Sequence, residues 1–346
     1  MKRTALACDL EKPASSRLGG GWKFALCVLT LWVFFGSAEA QSLKKIRLAI
    51  PAFTITAASC LIPQDKGYWR EEGLNVETVL IRAAPSILAL SAGEVEFVCV
   101  GGGALLGILQ GLPLRMLFAP FSRPLYAVYA RPDIKSFQNL ERKKVGVSSL
   151  GSGPDSLLRD LFKKRMADEG KSVTILAVGG GSERYIALKT GNVDAAILAP
   201  PFTLMARDDG FRELFSFMRG QEYADVTNAT VGREELVRSN PELVERFIRG
   251  QMKALFFMRR NKEHTAFLLA QRLKVAPEIA TRSYGEVLPS LTDDGTINES
   301  EQRKSIEYLI DRLNLRQPPR LENIYDFSIS RKTYKELQAR GWKPSD

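Results

Sequence analysis

Ala89-Leu90-Ser91-Ala92-Gly93-Glu94-Val95-Glu96 returns 98 positions later as Ala187-Leu188-Lys189-Thr190-Gly191-Asn192-Val193-Asp194, and this repetition decides the fold. Two further pairs keep nearly the same spacing. Lys44-Lys45-Ile46 recurs as Lys143-Lys144-Val145, and Gly73 with Val76 recurs as Gly170 with Val173. Separated segments at offsets of 97 to 99 mean that one supersecondary unit is built twice. The second copy reads as a short strand at 145–148, a helix over 154–169 with Pro154 at a favourable first position, a β-branched strand at 173–178, a short helix at 182–190 and a buried strand at 195–198. Strands alternating with helices pair in parallel through right-handed crossovers, so each copy is expected to be a doubly wound α/β lobe.

Beyond the second copy the pattern turns helical. Residues 241–260, 276–288 and 299–313 carry helical periodicity, broken at Asn261, Pro289 and Asp293-Asp294-Gly295. The predicted fold class is α/β: a two-lobed binding protein with C-terminal helices. Residues 41–130 with 229–346 form the first lobe and 131–228 the second. The chain is expected to cross near Ala130-Arg131-Pro132 and to return near 227–232.

Residues 1–40 read as an export signal. A basic leader (Lys2, Arg3, Lys12, Arg17, Lys23) precedes the apolar stretch Phe24 to Phe35, and Ala38-Glu39-Ala40 offers a cleavage site after Ala40. That stretch is about 18 Å long as a helix, short of a hydrocarbon core of roughly 30 Å, so a permanent anchor is disfavoured. Export is the expected outcome. Of the 346 residues 25% are charged, with 49 Lys plus Arg against 39 Asp plus Glu, a net charge of +10 that becomes +8 without the leader. Acidic residues are interspersed with the basic ones and no aromatic-interleaved basic run appears, so no nucleic-acid partner is expected. With one histidine, His264, set in a charged helical stretch, metal clusters and Ser/His/Asp chemistry lack their parts, and neither metal nor cofactor is expected. Lys189-Thr190-Gly191 and Gly101-x-Gly103 are accidental matches to catalytic and dinucleotide motifs. Cys60 and Cys99 remain after processing. Both sit in apolar contexts, open either to pairing in an oxidising compartment or to burial as free thiols.

Lys66-Gly67-Tyr68-Trp69-Arg70-Glu71-Glu72-Gly73-Leu74-Asn75-Val76-Glu77 resembles a signature of the substrate-binding proteins of nitrate, taurine, aliphatic-sulfonate and thiamine-pyrimidine transporters. Leu90 to Glu96, Thr190 to Ala196 and Ile324-Tyr325-Asp326-Phe327-Ser328 extend the resemblance from about Ile46 to Leu337. It implies a type II-like periplasmic solute-binding component, not an enzyme, that delivers a small-molecule ligand to an ABC transporter permease and ATPase complex at the inner membrane. A monomer is expected. The alternative is an exported enzyme or pyrimidine-precursor synthase relative using the same cleft; the Cys-rich segment of the eukaryotic synthases is not found here.

In open α/β sheets ligands bind beyond the carboxyl ends of strands, where helix N-termini and glycine turns present free N–H groups. Three turns per copy qualify. The first copy offers Phe53 and Thr54, Ser86, and Gly102 with Gly103; the second offers Ser149, Ser152 and Gly153, then Gly181 and Ser182, then Pro200 and Phe202. Serine hydroxyls would donate to a carboxylate, sulfonate or ring heteroatom, and the phenylalanines would cover an apolar face. Duller roles compete: Ser152 and Ser182 as helix caps, the glycines as turn formers, the rings as core. Arg82 and Arg184 flank two of the turns, so the solute is expected to be small and either anionic or heteroaromatic.

Overall fold

The computed structural model describes residues 43–344, apart from residues 220, 221, 225, 227 and 318. The export signal read in residues 1–40 lies outside the described residues. Ten strands fall into two sheets of five. They are β1 (Lys44–Ile50), β2 (Leu74–Leu80), β3 (Phe97–Cys99), β4 (Leu114–Phe118), β5 (Ala127–Ala130), β6 (Lys144–Val147), β7 (Thr174–Ala177), β8 (Ala195–Leu198), β9 (Arg212–Ser216) and β10 (Thr230–Arg233). The helices of the repeated units are α1 (Ala58–Asp65), α2 (Tyr68–Glu71), α3 (Ala83–Ser91), α4 (Gly101–Leu109), α5 (Gly153–Arg165), α6 (Gly181–Lys189) and α7 (Phe202–Asp208). The C-terminal helices are α8 (Glu234–Ser239), α9 (Pro241–Arg260), α10 (Lys262–Leu273), α11 (Pro277–Val287), α12 (Glu299–Leu313) and α13 (Ser328–Ala339).

The sheets have the orders β2-β1-β3-β10-β4 and β7-β6-β8-β5-β9. Within each, the three strands of the repeated unit pair in parallel. The remaining pairings are antiparallel, β10 lying between β3 and β4 and β5 between β8 and β9. The parallel pairing within each copy is the expected one; the antiparallel strands lie outside it for a physical reason: β5 and β10 arrive from the other sheet, and a chain entering without a crossover helix runs the opposite way. The division expected after residue 130 moves accordingly. Ala127–Ala130 is β5 of the second sheet, so the outward crossing occupies residues 119–126 and the return runs over 217–229.

Helix ends follow local chemistry. Pro154 opens α5, the Ser152 hydroxyl accepts the Asp155 N–H, and Lys163, Lys164 and Arg165 close the last turn. Pro241 opens α9, where the Asn240 side chain accepts the Leu243 N–H at 3.1 Å. On the first sheet the core is aromatic: Phe247 of α9 stacks on Phe97 at 4.0 Å and on Trp69 at 5.1 Å between centroids. A Cβ on Gly250 would stand 2.2 Å from the Trp69 ring, so only glycine lets α9 settle on α2. Beneath this core Cys60 of α1 is disulfide-bonded to Cys99 at the end of β3, which decides between pairing and free thiols.

Candidate functional site

A cavity of about 650 Å3, part of it open to solvent, lies between the carboxyl ends of the two sheets. The first sheet contributes Pro51, Ala52, Thr54 and Thr56 after β1, Arg82 and Ala83 at the start of α3, and Val100, Gly102 and Gly103 at the start of α4. The second contributes Ser148, Ser149, Gly153 and Pro154 around the start of α5, Gly179 to Gly181 with Arg184 at α6, and Ala199 after β8. Tyr126 and Asn228, one from each crossing segment, complete the wall. At the cavity the lobes approach closely where a Cβ on Gly102 would come within 2.7 Å of the Gly153 Cα.

Of the residues selected from the sequence, Thr54, Gly102, Gly103, Ser149, Gly153 and Gly181 line this cavity. The others stand off its wall. Ser86 is fully buried and its hydroxyl donates to the Ala83 carbonyl at 2.7 Å inside α3. Ser152 caps α5: its Oγ donates to the Ser149 carbonyl at 2.6 Å and receives the Ser148 hydroxyl at 2.9 Å. Ser182 is exposed and donates to the Glu183 carboxylate at 2.9 Å. Phe202 packs its ring against Gly181 and stacks with Tyr185, 6.0 Å between centroids. Pro200 is buried, joined to Pro201 by a cis peptide bond, and Phe53 turns outward, 40% exposed.

Thr56, Asn228 and Arg184, wall residues outside that selection, carry polar chemistry. The Thr54 and Thr56 hydroxyls are 2.7 Å apart, and Thr56 donates to Asn228 Oδ1 at 3.2 Å. This orients the amide. Asn228 Nδ2 and Ser149 Oγ are buried and find no hydrogen-bond partner among the described residues, and a buried polar atom left unpaired in this way is costly. Arg184 is 4% exposed; its Nε donates to the Gly180 carbonyl at 3.2 Å and its Nη1 to the Ile197 carbonyl. Among the described residues no carboxylate forms an ion pair with it, and burial pulls its guanidinium below the usual arginine range. The missing signal was topological: Tyr126 and Asn228 lie in crossing segments that the repeat does not cover.

Four helices, α3 to α6, begin at this wall, aiming partly positive N-termini at it. The first turns of α3 and α4 hold no acidic residue, whereas α5 carries Asp155 and α6 carries Glu183. Together with Arg184, the wall presents donors and positive potential.

Relatives agree with this architecture. A protein of Brucella abortus strain 2308 named as a binding protein is 30% identical over 251 residues, covering 68% of this chain and 76% of its own. The structure of the periplasmic nitrate-binding protein NrtA from Synechocystis PCC 6803 superposes with a TM-score of 0.71 at 17% identity, covering 88% of this chain and 92% of that one. The desulfurization enzyme DSZB shares the fold as well, with a TM-score of 0.59 at 14% identity over 85% of this chain and 99% of its own. The profile of NMT1/THI5-like proteins matches residues 55–265, more than half of the sequence, and the chain belongs to the NMT1/THI5-like family.

Proposed function

We propose that this protein is the periplasmic solute-binding component of an ABC importer, and that it captures a small organic anion between its two lobes and delivers it to a membrane permease. One observation carries the anionic reading: Arg184 is buried at the cavity wall with backbone carbonyls, and no carboxylate, as its partners among the described residues. Glu183 acts on it only from beyond ion-pair distance, and a buried charge so weakly compensated is unfavourable, so an anionic guest relieves it. Helix N-termini and glycine turns add donors that need no titratable side chain. The described lining contains no Asp, Glu, His or Cys, which favours capture over turnover and sets the enzymatic alternative second. The name of the Brucella relative and the nitrate specificity in the name of NrtA support the same reading.

A thermal-shift screen against aliphatic sulfonates, aromatic carboxylates, nitrate and pyrimidines tests it. A solute at about 100 times its dissociation constant adds about 2.7 kcal/mol of stability. A shift with an anion, and none with its neutral amide or alcohol analogue, is the expected result; stabilisation by neutral pyrimidines alone overturns the anionic reading, and steady conversion of a hit into product overturns capture.

A further inference from the structure

Asp155 sits two residues past the cavity-lining Gly153, and its carboxylate is fully buried. It accepts the Gly151 N–H at 2.9 Å and thereby ties down the turn that carries Ser149 and Gly153. Two guanidinium groups balance its charge. Arg159, one turn further along α5, reaches Oδ1 at 2.9 Å; Arg312, from α12, lies 3.6 Å from Oδ2 and donates to the Ser156 hydroxyl at 2.6 Å.

Arg312 comes from the C-terminal helices. The segments at both ends of α12 are fastened to the first sheet: the Gly295 carbonyl accepts the Ala119 N–H at 2.7 Å, and the Ile324 carbonyl and Asp326 N–H bond to Met116 of β4, each at 2.9 Å. Ser305 of α12 also hydrogen-bonds Tyr325 at 2.5 Å. The guanidinium of Arg312 therefore links an element anchored on the first sheet to the buried carboxylate that holds a turn of the second.

We propose that Arg312 is a positioning residue for the solute-binding turn 149–153, acting through Asp155 and Ser156 without touching solute. The importance of that turn rests on the solute-binding reading above, whereas the mechanical claim does not. A buried carboxylate keeps its place only while its charge is balanced and its lone pairs are hydrogen-bonded. Removing the partner on α12 leaves Asp155 with a counter-ion on its own helix alone, and nothing then ties the turn to the first sheet through this path.

Amide hydrogen exchange on the full chain, without any solute, reads this directly. Arg312→Met is expected to speed exchange at 149–153 at least tenfold while α9 exchanges at the wild-type rate. Arg312→Lys is expected to recover part of the protection, since it restores the charge without the fork. Arg159→Met is expected to change exchange at 149–153 by less than threefold. Wild-type protection in Arg312→Met, acceleration spread equally over α9, or an equal effect from Arg159→Met overturns the proposal. Should Arg312→Met not fold, Ser156→Ala removes only the hydroxyl acceptor and is expected to give a smaller, still local acceleration; none at all overturns it. A solute screen that fails leaves this measurement untouched, so the two readings fall separately.

Discussion

The two copies of the repeated unit meet at the cavity, and they differ most at positions the repeat makes equivalent. At the offset of 98, Ser86 of α3 corresponds to Arg184 of α6. One turns its hydroxyl back into its own helix; the other buries a guanidinium at the cavity wall. Cys99 corresponds to Ile197. The cysteine is cross-linked to Cys60, while the isoleucine carbonyl receives Arg184. The first half is thus cross-linked, and α9 packs on it through its aromatic core, whereas the second half supplies the buried positive charge. Duplication provided two jaws of one design, and divergence gave one of them a cross-link and the other the proposed recognition chemistry.

The largest effect that sharpens this contrast lies in the first half. The Cys60–Cys99 bridge closes a loop with a sequence separation of 39. On the chain-entropy account, losing it costs about 4 kcal/mol. Urea denaturation of the Cys60→Ala, Cys99→Ala double variant checks this, and a loss below about 1 kcal/mol would show that the cross-link is not what sets the first half apart. In the second half, Arg184→Met is expected to weaken binding of the best anionic hit about 100-fold, close to 2.7 kcal/mol, while the melting temperature of the solute-free protein stays level or rises because a desolvated charge is gone. Calorimetric titration alongside a melt separates the two readouts; a lower melting temperature would mean that the guanidinium holds the fold together instead.

A smaller effect is expected where the halves touch. Gly102→Ala puts a methyl 2.7 Å from the Gly153 Cα, against 3.2 Å from Gly102 for the reverse change, so the first should weaken solute binding more, by about tenfold or ~1.4 kcal/mol. Equal affinities in both variants would mean that the glycine contact does not limit closure. The smallest effect is electrostatic. Asp209, after α7, is held below the ordinary carboxylate range by the hydrogen bond from Lys189 and then by that from Tyr185. A depressed folded value contributes stability above the unfolded pKa of about 3.9, and that contribution is lost as pH falls through the folded value. Asp209→Asn should therefore cost less than about 1 kcal/mol at pH 6, and the gap to wild type should close below pH ~4 in urea titrations. The first copy has Gly111 at the equivalent position and nothing there to titrate.

The repeat made much of this legible before any coordinates. Ala195–Leu198, Pro241–Arg260 and Glu299–Leu313 have the bounds their periodicity suggests, because each is framed by proline, asparagine or aspartate punctuation. Helix α5 stops at Arg165, short of the expected 169, since Met166 is already extended. The crossing strands were not legible. Ala127–Ala130 and Thr230–Arg233 are short and lie outside the repeated segments, and their direction depends on which sheet they enter. At the cavity, the glycine turns followed from strand ends, but the choice among serines did not. Ser86 and Ser152 find local acceptors, and only the path of the chain brings Asn228 to Thr56. The cysteine pairing depended on α1 packing against β3, which no spacing within the sequence prescribes.

The order of strands also governs how this chain must be made. The second sheet draws all five of its strands from one continuous stretch, residues 127–216, and can assemble as soon as that stretch has emerged. The first sheet cannot: β10 belongs between β3 and β4, yet it is synthesised last. Until residue 233 is available, β3 and β4 expose unsatisfied edges to any passing strand, the condition under which nascent chains aggregate or recruit chaperones. The half of the molecule that is cross-linked when finished is therefore the half left open longest during biosynthesis.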